Sequence, residues 1–194
     1  MPEPLPSRPN WDHLFETALG QDGLFTAAQA AAAGYSPQLL VHYIRIGRVV
    51  RIRRGVYRVV HFPVAEHEEL TSTWLWSAKA GVFSHQTALA LHGLSDVLPA
   101  KLHLTLPLDW GRRRLRVPEG VVVHHADIPP EDRTWFGPVP ITTPRRTLTD
   151  CAHAEFSPEL LLQAARQALR RGLVGKDELS EVEEALRPFG GLAT

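Results

Sequence analysis

The 194-residue sequence lacks several features that would place it in a familiar class. It has one cysteine, Cys151, so an intrachain disulfide and a cysteine-based zinc finger are both excluded. No apolar run approaches the roughly 20 residues that a membrane-spanning helix needs, so no membrane contact is predicted. The opening stretch MPEPLPSRPN has no apolar segment of the kind that a signal peptide carries, and residues 1–9 are predicted to be a disordered leader. These absences predict a cytoplasmic protein.

Acidic residues are missing from one long segment, between Asp22 and Glu66. The chain as a whole is balanced, with 21 Lys and Arg against 21 Asp and Glu. The arginines of the acid-free segment gather in RIGRVVRIRRGVYRV, residues 45–59. An unopposed positive field of this kind favours a surface that binds phosphates.

The stretch FTAAQAAAAGYSPQLLVHYIRIGR predicts two short helices on either side of a tight turn. Thr26 is a suitable N-cap for the first helix, and Gly34 can end it in the left-handed conformation. Ser36 caps the second helix, with Pro37 at its first position, where a missing N–H costs nothing. Two helices joined in this way predict a helix-turn-helix. A helix over WDHLFETAL, with Asn10 as its N-cap, precedes them.

The second of these helices has two faces. The spacing predicts that Leu40, Tyr43 and Ile44 pack on the core. The other face is either a solvated surface or a set of side chains that reach bases and phosphates. That face carries Gln38, Val41, His42 and Arg45.

The residues VVRIRRGVYRV alternate between apolar and basic side chains and predict a β-hairpin with its tip at residues 54–55. This register places Ile52 opposite Tyr57 on an apolar face. It places Arg51 opposite Arg58 on the other face, a like-charge pair that is unfavourable unless something negative lies against it. Phosphates of DNA would supply that negative charge. A hairpin directly after a helix-turn-helix is the order of a winged-helix domain.

Three blocks of the chain, taken in order, resemble AbiEi-type antitoxins of type IV toxin–antitoxin systems. They are GLFTAAQAAAAGYSPQLLVHYIRIGRVVRIRRGVYRV, FSHQTALALHGLSDVLPAKLHLTLP and PVPITTPRRTLTDCA, and the similarity extends over roughly residues 10–155. The resemblance implies a winged-helix domain that binds the operon's own promoter, and a second domain that counteracts a nucleotidyltransferase-like toxin. The implied partners are therefore double-stranded DNA, at promoter inverted repeats, and such a toxin.

The predicted fold class is α+β, with an N-terminal winged helix-turn-helix followed by a small mixed α/β domain with C-terminal helices. The winged helix is placed at residues 10–62 and the interaction domain at residues 63–194. In the second domain, KLHLTLP alternates as a half-buried strand, and PVPITTPRRTLTDCA predicts a strand followed by a helix capped by Thr143. The segment LRVPEGVVVHHA predicts two short strands.

The predicted DNA-binding residues lie on the second helix and on the hairpin: Gln38, His42, Arg45, Arg48, Arg51, Arg53, Arg54 and Arg58. The loop GRRRLR is a second basic cluster, which suits a phosphate, an acidic protein surface or solvent. Its arginines are Arg112, Arg113, Arg114 and Arg116.

Histidines invite a metal hypothesis, but their spacing argues against it. His85 and His92 lie about two helical turns apart, too far to share one ion. His124 and the residue after it point to opposite faces of a strand. The sequence therefore predicts no metal and no cofactor, and Ser84 is predicted to be a helix cap. Two alternatives to an antitoxin stay open: a stand-alone regulator whose second domain dimerises or senses a ligand, and an enzyme that uses His85, His92 or His103.

Overall fold

The computed structural model describes residues 8–154 and 156–192, so most of the predicted leader lies outside the described residues. The chain divides into two compact units, Met1–Lys79 and Ala80–Thr194. This boundary lies later than the one expected from the sequence, after residue 62. The difference arises because a helix over Glu68–Trp76 packs against the first sheet and so belongs to the first unit.

Three helices open the first unit: α1 (Trp11–Leu19), α2 (Ala27–Ala32) and α3 (Pro37–Arg45). All three predicted caps are confirmed, because each side chain accepts a hydrogen bond from a backbone N–H in the first turn. The caps are Asn10, Thr26 and Ser36. Gly34 has a φ of +86°, as its predicted role at the end of α2 requires.

A three-stranded antiparallel sheet completes this unit, formed by β1 (Leu24–Thr26), β2 (Val49–Arg53) and β3 (Val56–Val59) in the order β1-β3-β2. The sequence did not predict β1, which is only three residues long. Gly23 enters β1 with a φ of +77°, and a Cβ there would lie 2.4 Å from the ring of Phe62. Both the backbone conformation and the close ring therefore require glycine.

The predicted hairpin is present, but its predicted register is wrong by one residue. A slip of one residue moves every side chain of a strand to the opposite face. In the observed register Val49 lies opposite Val59, and both valines are buried in the core under the helices. Arg51 and Arg58 therefore do not face each other, and the predicted like-charge pair does not exist. The observed pairs are Val49 with Val59, Val50 with Arg58, and Arg51 with Tyr57.

The helix α4 (Glu68–Trp76) packs against β1 and β3. The α1–α3 side of the sheet carries the buried Phe25, stacked on Tyr57 with ring centroids 5.8 Å apart. Because side chains alternate along a strand, those of Leu24 and Arg58 point to the opposite side of the sheet, where α4 packs.

The second unit is built on a five-stranded mixed sheet in the order β6-β5-β4-β8-β7. Its strands are β4 (Val82–Phe83), β5 (Leu102–Leu106), β6 (Val121–His125), β7 (Arg133–Phe136) and β8 (Val139–Thr142). The pairs β5–β6 and β4–β8 are parallel and the others antiparallel. The α+β fold with a mixed second domain is thereby confirmed. The segment predicted to hold two strands forms one, β6, within described residues 115–126.

Four helices accompany this sheet: α5 (His85–Leu91), α6 (Pro144–His153), α7 (Pro158–Arg170) and α8 (Ser180–Leu186). Their facing apolar side chains form one core cluster, which includes Leu89, Leu148, Leu161 and Cys151. Burial raises the pKa of the Cys151 thiol to about 12, so this cysteine is a core residue without thiolate chemistry. Among the described residues, we find no helix whose length and apolar content would let it cross a membrane.

Candidate functional site

The two predicted faces of α3 are confirmed by burial. Leu40 is buried, and Tyr43 and Ile44 pack against the core of the first unit. The polar face is exposed to solvent along its length. It carries Gln38, Val41, His42 and Arg45.

The inner face of α3 packs through Tyr43 against two further aromatic rings, those of Trp11 and Tyr35. The ring of Trp11 stacks on Tyr43 at 5.8 Å, and Tyr35 meets Tyr43 edge to face at 5.4 Å. Burial, with help from the neighbouring Tyr43, raises the pKa of Tyr35 to about 12, so the phenol stays neutral. The exposed face of α3 is thus presented by a helix whose inner face is packed on rigid rings.

Four arginines at the end of α3 and in the hairpin that follows it are exposed: Arg45, Arg48, Arg51 and Arg54. Arg45 ends α3, and Arg48 follows it in the loop to β2. Arg51 lies opposite Tyr57, on the same side of the sheet as the helices, and Arg54 lies in the turn between β2 and β3. We call these four arginines, with Gln38 and His42, the basic surface.

Two arginines that were predicted to contact DNA, Arg53 and Arg58, instead bond to side chains of α4 within the first unit. Arg58 Nη1 lies 2.5 Å from Glu68 Oε2 of α4, and only 18% and 17% of the two side chains are exposed. Arg53 donates from Nη1 to Thr73 Oγ1 at 3.1 Å. Burial lowers the pKa of Arg53, although Glu69 acts in the opposite direction. Both arginines thus connect the hairpin to α4.

Replacing Glu68 with alanine is expected to destabilise the first unit by about 1–3 kcal/mol, because Arg58 keeps its charge while losing its partner in a mostly buried place. Replacing Glu66, an exposed acid of the preceding turn, is the matched control and should change stability by less than about 0.5 kcal/mol. Urea unfolding followed by circular dichroism measures both. Equal midpoints for the two variants would show that the ion pair contributes nothing.

Comparison with known families bears on this first unit. Residues 12–60 match the family model described as "Transcriptional regulator, AbiEi antitoxin". The resemblance to AbiEi antitoxins is confirmed over that segment. The AbiEi-like segment contains α1 from its second residue onward, all of α2 and α3, both hairpin strands and every residue of the basic surface.

A solved structure shares the fold more widely. The RV2827C protein from Mycobacterium tuberculosis superposes with a TM-score of 0.54 at 18% identity, over 92% of this chain and 70% of that one. At this identity the similarity shows the fold alone. Because it covers 92% of this chain, it extends beyond the AbiEi-like segment into the second unit. No curated protein matches the chain.

The second basic cluster lies in the other unit, beginning at the last residue of a short 3-10 helix over Leu108–Arg112. The arginines Arg112, Arg113, Arg114 and Arg116 are all exposed. The guanidinium of Arg113 lies 4.2 Å from the ring centroid of Trp110 and 3.5 Å from Asp109 Oδ2. The charge of Arg113 is therefore partly neutralised by Asp109, and its guanidinium lies over the ring of Trp110.

Sequence reasoning missed a cluster of three histidines in the second unit. In the parallel pair β5–β6, Thr105 lies opposite His124, so His103 and His124 share one face of the sheet. His103 Nδ1 lies 3.0 Å from His124 Nε2. The ring of His85, from the start of α5, stacks on His124 with centroids 3.7 Å apart. His92 lies apart and contacts the Thr142 carbonyl through Nε2 at 2.7 Å.

A buried hydroxyl pair orients the first histidine of this cluster. Ser84 Oγ lies 2.8 Å from His85 Nδ1 and 2.7 Å from Thr105 Oγ1. Ser84 occupies the predicted N-cap position, but its side chain makes no cap bond, so the predicted capping role is wrong. Burial, with the neighbouring histidines, lowers the pKa of His85 to about 3 and that of His124 to about 4, which keeps both imidazoles neutral at neutral pH.

A cleft of about 300 Å³ lies beside the cluster and is lined by His85, His124, Arg146 and Asp150 among others. Arg146 bonds to Asp150 Oδ1 through Nε at 2.7 Å and to Asp132 Oδ2 through Nη1 at 3.2 Å. Burial opposes the charge on Arg146, but these carboxylates raise its pKa, so it stays a cation. The cleft therefore combines neutral imidazoles with a paired arginine.

Proposed function

We propose that the chain is a DNA-binding transcription regulator that reads its site through the basic surface. The observation that carries this is the exposure of four arginines at the end of α3 and in the hairpin, together with the exposed polar face of α3, in a segment that contains no acid between residues 22 and 66. DNA phosphates are the partner that suits such a field. The match to a family described as transcriptional regulators supports the same role.

The arrangement assigns different tasks to the helix and to the hairpin. A major groove about 12 Å wide admits one α-helix, and α3 would place Gln38, His42 and Arg45 at base edges. Arg48, Arg51 and Arg54 would then hold phosphates on either side. Arg53 and Arg58 are assigned to the support of the hairpin, because their guanidinium groups are engaged by α4.

Binding to the DNA upstream of the chain's own gene tests the proposal. Fluorescence anisotropy of the full chain near physiological salt should show at least about 10³-fold tighter binding to that duplex than to a shuffled duplex of the same composition. Equal affinity for both duplexes, or no binding to either, would sink the proposal.

We further propose that the chain acts as an autoregulating antitoxin, with the second unit counteracting a nucleotidyltransferase-like toxin. The family description supports this for the AbiEi-like segment. Cells that express a toxin gene adjacent to the chain's own gene should stop growing, and co-expression of the chain should restore their growth. A variant without the arginines of the basic surface should still restore it. Loss of rescue in the presence of intact promoter binding would favour the alternative of a stand-alone regulator whose second unit dimerises or senses a ligand.

A further inference from the structure

We propose that His85, His103 and His124 bind one divalent transition-metal ion, with Zn²⁺ the best match to three imidazole ligands. One candidate ligand nitrogen from each residue lies within 4.8 Å of the other two. Ligand nitrogens of a tetrahedral zinc site are about 3.4 Å apart, given Zn–N distances of about 2.1 Å. The required closure is at most about 1.4 Å for any pair, since no two of these nitrogens are more than 4.8 Å apart, and side-chain rotation can supply it.

Two of the ligands are fixed by the sheet. His103 and His124 extend from neighbouring parallel strands on one face, and their facing nitrogens are 3.0 Å apart, close to the spacing in a metal site. Without a metal, one of these nitrogens must carry the proton that the other accepts. Metal binding moves that proton to the far nitrogen of the same ring, so both facing lone pairs become ligands and no net proton is released.

The third ligand is oriented by the support that metal-binding histidines usually have. Ser84 occupies Nδ1 of His85, which leaves Nε2 to ligate, and Thr105 holds Ser84 in turn. The backbone of His85 has a φ of +50°, a conformation that is unfavourable for a residue other than glycine. Such strain is common at binding sites, where the direction of one side chain matters more than local stability.

The charges around the cluster permit a dication. Arg146 lines the cleft, and Asp132 and Asp150 pair with it. Asp150 Oδ2 is buried and has no hydrogen-bond partner among the described residues. Three protein ligands leave a fourth position to water, as in zinc sites that stay open to solvent. Because His85 and His124 line the cleft, that position would face it. This proposal departs from the sequence-based expectation of no metal.

A metal titration of the full chain tests the proposal. The protein, with any affinity tag removed and treated with EDTA, is titrated with Zn²⁺ by calorimetry and with Co²⁺ by visible absorption. One ion per chain is expected, with the intense visible bands of tetrahedral Co²⁺. The variants His85→Asn, His103→Gln and His124→Gln should each weaken zinc binding by about 100-fold or more. Asparagine is chosen at position 85 because it tolerates positive φ.

Two further variants separate a built site from general histidine affinity. Ser84→Ala should weaken binding by about 10–100-fold, because it frees the ring of His85. His61→Gln is the control, since this histidine is exposed and belongs to the first unit, and the variant should bind zinc as the wild type does.

Two results would overturn the proposal: no stoichiometric binding by the wild type, or equal affinity in the His124→Gln and His61→Gln variants. If a cluster variant fails to fold by circular dichroism, imidazole ¹⁵N NMR of the wild type decides the matter. Zinc should then shift the nitrogen signals of three histidines and leave the other seven of the chain's ten unchanged. Shifts spread over all ten would count against the site.

Discussion

Replacing Arg48, Arg51 and Arg54 with alanine is expected to weaken binding to promoter and random duplex DNA alike, by about 100-fold near physiological salt. Each lost phosphate contact removes about 0.9 from the slope of log K against log salt, so the triple variant should lose up to about 2.7. The three side chains are exposed, and the core pair Val49–Val59 is untouched. Folding should therefore survive, which circular dichroism checks.

Base contacts should behave differently from phosphate contacts. Gln38→Ala or Arg45→Ala should cost about 1–3 kcal/mol on the preferred site and little on random DNA. Arg53→Ala is the informative control within the hairpin. Its guanidinium donates to Thr73, so this variant should lose stability and keep the salt slope. Anisotropy at four salt concentrations measures the whole set. An unchanged slope in a folded triple variant would mean that the hairpin does not contact DNA.

Local signals in the sequence were sufficient where the chain's own neighbours decide the structure. The caps at Asn10, Thr26 and Ser36 depend on groups three residues away, so the sequence contains all of the relevant partners. The two faces of α3 follow from helical periodicity alone. These features predicted the helix-turn-helix and the placement of its exposed polar face.

The hairpin register could not be decided locally. Alternation in VVRIRRGVYRV fits two registers that differ by one residue, and the choice depends on which face meets the helices. The buried pair Val49–Val59 decides it through contacts with the core. The partner of Arg58 was also out of reach, because Glu68 lies in a helix that the sequence assigned to the second domain.

The histidine cluster shows the same limit in the second unit. Spacing along the chain was a sound argument against His85 with His92, and these two indeed lie apart. The cluster instead joins residues from α5, β5 and β6, and only the parallel pairing of β5 with β6 brings His103 to His124. Strand order and register are tertiary information that periodicity does not contain.

The largest stability effect is expected at Asp132, whose side chain is only 8% exposed. It accepts bonds from Arg145 and Arg146, the second and third residues of α6. The first turn of α6 holds no acid, so two cations stand at the positive end of the helix dipole. Asp132 supplies the negative charge that this helix end lacks in its own sequence. Its backbone carbonyl also accepts the N–H of Thr143 at 2.9 Å.

Asp132→Ala is therefore expected to destabilise the second unit by about 2–4 kcal/mol, because Arg145 loses its carboxylate partner and Arg146, in a mostly buried place, keeps only Asp150. Glu131→Ala, a change of the adjacent exposed acid, is the matched control and should shift stability by less than about 0.5 kcal/mol. The double variant Asp132→Ala with Arg146→Met should recover part of the loss, since replacing both charges removes the unpaired one. Urea unfolding of the wild type, the single variants Asp132→Ala and Arg146→Met, and the double variant completes the cycle. If the double variant were as unstable as the sum of the single changes, the cost would come from packing around Asp132 and the ion pairs would not be its cause.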